Sequence, residues 1–321
     1  MFQTNRLRAA ILLVLVLSLS AVDVGLAKPK KELPKGTPVL WRKPNDIPAR
    51  DLFLGPGGAA MRPDLRRITF LKEEKGGYSK KYRVRDASGR TWVVKIGKEA
   101  QAETSAVRLL WGLGYLTEVN YLVPQVTIPG KGSFTNARFE ARPDNWKRGD
   151  EWKWSKNPFV GTSELQGLKI MMALINNWDL KDSNNQTVQL NGNNELHYII
   201  SDLGATFGHA STTPLFWRIT RSRNNPTKYS KAKFFEKVKG DRVVLHYGGK
   251  NRGLLKDISI QDATWMATLL AQLSDRQIKD AFRAANYSPA QINLLASAVR
   301  DRSNQLLNLE PRVQASRNQT K

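Results

Sequence analysis

The sequence contains no cysteine, which excludes disulfides, thiolate metal ligands and cysteine nucleophiles together. A chain of 321 residues can bury a core large enough to fold without disulfides. Histidine is also scarce, because only His197, His209 and His246 occur, and their positions do not match metal-ligand spacing. We therefore do not expect a metal site built from cysteine or histidine.

Long hydrophobic runs are absent beyond the first residues of the chain. Residues 9–22 are mostly Leu, Val and Ala, follow Arg6 and Arg8, and precede small residues at a cleavage position. This pattern predicts a secretory signal peptide over residues 1–27, and an uncleaved membrane anchor is the alternative. We expect export to the periplasm or secretion, with residues 28–40 forming a basic, Pro- and Lys-rich linker.

Acidic residues are few, with 28 Asp and Glu against 51 Lys and Arg, so the formal charge is +23. Such an excess favours an anionic substrate or surface, whether protein, lipid headgroup or glycan, and peripheral membrane association. The basic residues are dense in Arg218–Lys239, where aromatic residues alternate with them. The alternative there is a solvated face with Phe234 and Phe235 buried. No known nucleic-acid-binding module is present, so we expect no sequence-specific nucleic-acid reader.

Two short polar motifs carry the strongest chemical signal. The segment Asp179 to Asn184 reads D-L-K-D-S-N, and Asp202-Leu203-Gly204 follows it. They fit the D-L-x-x-x-N and D-F-G motifs of phosphoryl transfer, in which one carboxylate meets the attacking hydroxyl while an Asn and an Asp hold magnesium. Lys181 is positioned to offset charge on the transferring phosphoryl group, or else is a solvated loop lysine.

The segment upstream of these motifs predicts a small sheet. Residues 67–97 read as three antiparallel strands, with Gly76 and Gly77 in the first turn and Lys95 on the third strand. This glycine pair is the only part of a glycine-rich phosphate-binding loop that the sequence retains. The alternative is an ordinary hairpin turn. A helix is predicted next, and its Glu103 is expected to face Lys95, with Glu99 as the rival one turn earlier.

Helical periodicity predicts most of the remaining chain. Leu165, Leu168, Met172 and Ile175 form the apolar stripe of a helix that ends just before the first motif. Two short strands are predicted between the motifs. The last fifth of the sequence reads as helices, with N-caps at Ser274 and at Ser288, the latter followed by Pro289.

The five polar residues in this order resemble the catalytic set of protein kinases: Lys95, Glu103, Asp179, Asn184 and Asp202. The short spacing from Lys95 to Glu103 is similar to that in HipA-type kinases, phosphatidylinositol 3/4-kinases and secretory-pathway kinases. No His-Arg pair precedes Asp179 and no A-P-E follows Asp202, which places the likeness with atypical kinases.

This resemblance implies an α+β, two-lobed protein-kinase-like fold over residues 41–309. A small antiparallel-sheet N-lobe would span about 41–125, a mostly helical C-lobe about 160–309, residues 126–160 would connect them, and 310–321 would be a polar tail. The resemblance also implies ATP- and Mg²⁺-dependent phosphoryl transfer to a hydroxyl on protein, lipid or envelope glycan. The alternative is a noncatalytic, pseudokinase-like protein that binds an anionic polymer or membrane surface.

The implied site has three parts. Asp179 is the expected base, and Lys181 stands beside it. Asn184 and Asp202 are the expected ligands of Mg²⁺. The residues expected to hold the phosphates of ATP are Lys95, Glu103, Gly76 and Gly77.

Overall fold

The computed structural model describes residues 36–76, 79–190, 192, 194–213 and 218–309. Within them the chain is a mixed α+β structure with six α-helices and thirteen β-strands. The predicted signal peptide, most of the predicted linker, Gly77 and the predicted tail lie outside the described residues.

The secondary-structure elements are defined here in chain order. The strands are β1 (Thr37–Val39), β2 (Thr69–Glu74), β3 (Lys80–Arg85), β4 (Thr91–Ile96), β5 (Asn120–Ile128), β6 (Gly132–Ala141), β7 (Trp146–Arg148), β8 (Asn185–Leu190), β9 (Glu195–Ile200), β10 (Ala210–Thr213), β11 (Arg218–Arg221), β12 (Phe235–Lys239) and β13 (Arg242–Leu245). The helices are α1 (Glu99–Gly112), α2 (Ser163–Leu174), α3 (Pro226–Ser230), α4 (Ile260–Ala271), α5 (Asp275–Arg283) and α6 (Pro289–Leu307).

The largest sheet has the order β2-β3-β4-β6-β5, and all its neighbouring strands are antiparallel. The three strands predicted over residues 67–97 are confirmed as β2, β3 and β4. Side chains alternate between faces along a strand, so Trp92 and Val94 of β4 are buried in the apolar cluster of the sheet. Val93 and Lys95 consequently lie on the other face.

The sheet extends further along the chain than the sequence indicated. Residues 126–160 were expected to connect two lobes, but 126–141 complete β5 and form β6. Pro124 lies in β5, which is an edge strand, where a missing backbone N–H is tolerated. Pro129 and Gly130 form the turn to β6, with Gly130 at φ 70°. Proline and glycine that suggested a linker therefore mark an edge strand and a tight turn.

A buried helix and a second sheet position the loop between them. Thr162 caps the start of α2 by accepting a hydrogen bond from Leu165 N. The chain leaves α2 through Asn176, whose φ of 52° turns the backbone sharply. The strands β8 and β9 then form an antiparallel pair in a four-stranded sheet of order β1-β9-β8-β7, with β1 parallel to β9.

The C-terminal helices begin at the serines that the sequence indicated. Ser274 and Ser288 each form a capping box with a Gln three residues later, and Ser259 does the same with Asp262. Apolar side chains of α1, α2, α4, α5 and α6 share one large buried cluster. In the part of the chain that the structure describes, no helix is both long and apolar enough to cross a membrane.

Candidate active site

Lys95 lies among three carboxylates although it is almost completely buried. Its Nζ is 2.8 Å from Glu103 Oε2, 3.3 Å from Asp202 Oδ1 and 3.6 Å from Glu99 Oε2. Burial alone would lower the pKa of Lys95, but the carboxylates, Glu103 most strongly, outweigh it and raise the pKa. The lysine is therefore held in its charged form at the meeting point of β4, α1 and the loop after β9.

Glu103 has a second cationic partner that sequence reasoning missed. Arg138 lies on β6 directly opposite Lys95 in the sheet register, and its guanidinium contacts the Glu103 carboxylate. Arg138 also contacts Glu140, two residues later on the same face. In β6 these charged residues alternate with Ala137, Phe139 and Ala141. That period of two was a signal that could have placed both charges on one face.

Glu99, the rival of Glu103, is the more distant partner of Lys95 and has further contacts of its own. Its carboxylate accepts a hydrogen bond from Ser79 Oγ at 2.6 Å and contacts Arg223. A Cβ added at Gly204 would meet the Glu99 side chain at 2.7 Å. The glycine of the D-L-G motif therefore allows Glu99 to pack against the loop that carries Asp202.

Asp179 lies between two lysines. Its Oδ2 is 2.9 Å from Lys181 Nζ and its Oδ1 is 2.8 Å from Lys250 Nζ. Burial raises the pKa of Asp179, but Lys250 and Lys181 outweigh burial and hold the pKa below its usual range. Lys250 was not singled out from the sequence, because it follows β13 and carries no local motif.

Backbone hydrogen bonds bring the two predicted magnesium ligands together. Asn184 donates from Nδ2 to the Asp179 carbonyl at 2.6 Å. The Asn184 carbonyl accepts from Ser201 N at 2.8 Å and from Asp202 N at 3.4 Å. The carboxylate of Asp202 accepts from Gly204 N at 3.2 Å. The two motifs are thus held side by side.

Their donor set fits a magnesium ion that is shared with phosphates. The Nδ2 bond to a carbonyl turns the Asn184 amide so that Oδ1 is its remaining acceptor, and the Asp202 side chain is 47% exposed. Within the described residues, no group of three or more His, Asp or Glu side chains converges on a metal-sized site. Magnesium is usually held by one or two carboxylates, with phosphate oxygens and water completing its shell.

A cleft of about 350 Å³ opens beside Lys95 and Asp202. Among the described residues, its lining has seven cationic residues and three acidic ones. The cations are Lys75, Lys81, Arg83, Lys95, Arg138, Arg142 and Arg148. Val93 is the apolar residue of the lining. A cleft with this composition suits phosphate groups better than an apolar ligand.

Ion pairs between arginine and glutamate side chains line the end of the cleft that follows β6. Arg142 and Arg148 both contact the buried carboxylates of Glu118 and Glu140. Burial raises the pKa of Glu118, but Arg148 and Arg142 outweigh it and lower the pKa. The nucleobase of a nucleotide bound at this end of the cleft would contact arginine–glutamate pairs and not an apolar surface.

The predicted glycine turn is described only in part. Gly76 lies in the turn between β2 and β3 with φ at 96°, and a Cβ there would meet nothing within 4 Å. Its neighbour Lys75 lines the cleft, whereas Gly77 lies outside the described residues. A phosphate-covering role for this turn stays a prediction.

No protein-family model matches the chain, and no curated protein matches its sequence. Among solved structures, the chain is similar to the crystal structure of the Helicobacter pylori proinflammatory kinase CtkA, with a TM-score of 0.50. The match covers 77% of this chain and 95% of that chain at 11% sequence identity. This chain has a kinase-like fold. At such low identity the similarity concerns the fold alone, so the roles of the individual site residues stay predictions.

Proposed function

We propose that this kinase-like protein is an exported, two-lobed phosphotransferase that uses ATP and Mg²⁺ to phosphorylate a hydroxyl on protein, lipid or envelope glycan. The main support is the position of Lys95, whose ammonium group joins Glu103 at 2.8 Å and Asp202 at 3.3 Å beside a cation-rich cleft. Phosphoryl transfer requires a lysine that a glutamate orients toward the phosphates, next to an aspartate that binds the metal ion.

In this proposal the residues of the chain mainly position the reactants. Lys95 binds the phosphates, and Glu103 orients it. Asp179 accepts a hydrogen bond from the acceptor hydroxyl, whose oxygen forms a bond to the γ-phosphorus while the bond to the ADP oxygen breaks. The hydroxyl proton passes to Asp179 and then to solvent. Asn184 and Asp202 would hold Mg²⁺, which would supply positive charge to the phosphate oxygens when bound.

One observation favours a second candidate, a noncatalytic protein that binds anionic ligands on the same fold. Both carboxylate oxygens of Asp179 are in ion pairs, with Lys181 and with Lys250, and its pKa is lowered. A carboxylate in this state is a weak proton acceptor. Catalysis then requires at least one lysine to move when the acceptor binds.

Binding of ATP with Mg²⁺ should raise the melting temperature of the protein, because a ligand that binds only the folded state stabilises it. Saturating ligand at about 100 times its Kd corresponds to ~2.7 kcal/mol. Thermal-shift measurements with ATP, with and without Mg²⁺, test this. A parallel measurement with inorganic tripolyphosphate and Mg²⁺ shows how much of the shift in melting temperature depends on the nucleoside part of ATP.

The variant Asp202→Asn should lose the Mg²⁺-dependent part of this shift and keep its fold. Asp241→Asn is the matched control, because Asp241 is exposed in the turn between β12 and β13. No response of the wild type at millimolar nucleotide would contradict nucleotide binding. An unchanged response of Asp202→Asn would instead contradict the metal-ligand role alone.

We also propose that the basic segment Arg218–Lys239 contacts an anionic acceptor or surface near this site. Arg221 and Arg223 lie over the ring of Trp178 at 5.2 and 4.9 Å, and Trp178 immediately precedes Asp179. Phe234 is buried in the core, so the exposed lysines, and not this aromatic side chain, are available for contact.

Neutralising four exposed lysines of this segment should weaken binding to anionic vesicles by at least about tenfold at low salt, because each surface lysine contributes about 1 kcal/mol. The lysines are Lys231, Lys233, Lys237 and Lys239. The control replaces four cations of α5 and α6 by Gln, namely Arg276, Lys279, Arg283 and Arg300. Equal weakening by both sets would show a diffuse electrostatic attraction without a specific contact segment.

A further inference from the structure

A buried arginine on α1 has no carboxylate partner in the described part of the chain. Arg108 is 1% exposed, and its guanidinium donates to the Asn120 carbonyl at 2.6 Å and to Asn120 Oδ1 at 3.4 Å. Its guanidinium also lies 5.4 Å from the ring centre of Tyr121. Among the described residues, no carboxylate oxygen lies within 4.0 Å of this guanidinium. A buried charge without a counter-charge is unfavourable, so its presence needs an explanation.

Two buried donors at this position lack acceptors among the described residues. Arg108 Nε and Asn120 Nδ2 are both inaccessible to solvent and have no hydrogen-bond partner there. Asn120 Oδ1 faces the guanidinium, which fixes the orientation of its amide and leaves Nδ2 as a donor. A buried donor is normally satisfied, so these two orphan donors show that the described residues leave the surroundings of Arg108 incompletely compensated.

The surroundings make this cation costly to keep charged. Burial lowers the pKa of Arg108 to about 10, although Tyr121 and Asp51 oppose this effect. The Asp51 carboxylate acts only from a distance, and its Oδ1 accepts hydrogen bonds from Phe53 N and Leu54 N, each at 2.9 Å.

Arg108 lines a pocket of about 100 Å³, which has the size of a small ion and not of a nucleotide. Arg62 is the second cation of the lining, and the other residues are Tyr121 and apolar residues from Phe53–Leu54, Leu122–Pro124 and their neighbours. Of the residues that the structure describes, no acidic one lines this pocket, and none lines both this pocket and the cleft at Lys95.

We propose that this pocket is an anion-binding site that takes one small oxyanion, inorganic phosphate or a short-chain carboxylate, on Arg108 and Arg62. The oxyanion supplies the counter-charge that Arg108 lacks. It also stabilises α1, the helix that carries Glu103. The site does not depend on the proposed phosphotransferase function.

The test compares melting temperatures of the full chain in Tris buffer while phosphate or acetate replaces chloride at constant ionic strength. Arg62→Met and Arg66→Met form a matched pair, because both arginines are exposed and only Arg62 lines the pocket. Wild type and Arg66→Met should show a saturable rise. The midpoint concentration should increase at least about tenfold in Arg62→Met and Arg108→Met, as expected for the loss of a charge-assisted hydrogen bond.

Arg108→Met separates an anion site from a purely structural arginine. In chloride alone it should melt close to the wild-type temperature, because removal of the unpaired buried charge offsets the loss of the hydrogen bonds to Asn120. A lower melting temperature, equal with and without phosphate, would overturn the proposal. So would the absence of a saturable rise in the wild type, or an equal rise in Arg62→Met and Arg66→Met. The comparison of Arg62→Met with Arg66→Met tests the proposal even if Arg108→Met does not fold. A response to only one of the two anions supports the site and identifies its class.

Discussion

Glu103→Gln is expected to lower the free energy of unfolding by about 3–5 kcal/mol, because removing one partner of a buried ion pair leaves uncompensated charge. Glu103 is completely buried and contacts the cations of both Lys95 and Arg138. Arg138 keeps Glu140 as a partner, whereas Lys95 would depend on Asp202 and the more distant Glu99. Urea denaturation measures the change.

The matched control is Glu73→Gln, an exposed residue of β2 that should change stability by less than about 0.5 kcal/mol. Combining Glu103→Gln with Lys95→Met should restore part of the lost stability, since the unpaired ammonium is removed with its partner. Strictly additive effects would contradict the pairing. A larger loss for Glu99→Gln than for Glu103→Gln would make Glu99 the main partner of Lys95.

Local patterns were sufficient to predict the elements that carry the candidate site. Alternation around Lys95 predicted β4, and apolar spacing predicted α1 and α2. Serine caps predicted the starts of α5 and α6. Each of these signals lies within a few residues of the element it predicts, so it does not depend on the packing of distant segments.

The partners of the predicted residues were not predictable in the same way. Arg138 meets Glu103 because β6 pairs with β4, and that pairing depends on the register of two strands separated by a helix and by β5. Lys250 meets Asp179 because the chain returns to the loop, where Lys250 N donates to the Trp178 carbonyl at 2.8 Å. Such contacts are properties of the tertiary fold.

The strands β5 and β6 were missed for a related reason. Their proline and glycine residues indicate a connection when read locally. Once β5 is an edge strand, Pro124 no longer opposes its assignment to the sheet. For the same reason the sequence did not predict the charged end of the cleft, which contains Arg142 and Glu118. Arg142 directly follows β6, so its position depends on that strand.

Asp179→Ala is expected to reduce phosphoryl transfer by about 10²-fold or more, the usual effect of losing a general base, while binding of ATP with Mg²⁺ is retained. Asp182→Asn is the control in the same loop, because Asp182 Oδ1 accepts a hydrogen bond from Trp154 N and has a structural contact. Transfer to a hydroxyl acceptor and ATP hydrolysis are the readouts. Equal activity of Asp179→Ala and the wild type would contradict the role of Asp179.

Lys250→Met extends this prediction to pH. Lys250 and Lys181 lower the pKa of Asp179, so removing Lys250 should raise that pKa. The ionised carboxylate is the form that accepts the proton, and it is lost as the pH falls through its pKa. The acidic limb of the pH–rate profile should therefore move to higher pH in Lys250→Met. An unmoved limb would show that the limb reports another group. A wild type that binds ATP with Mg²⁺ but shows no transfer, while Lys250→Met does, would mean that the two lysines block Asp179 in the free protein.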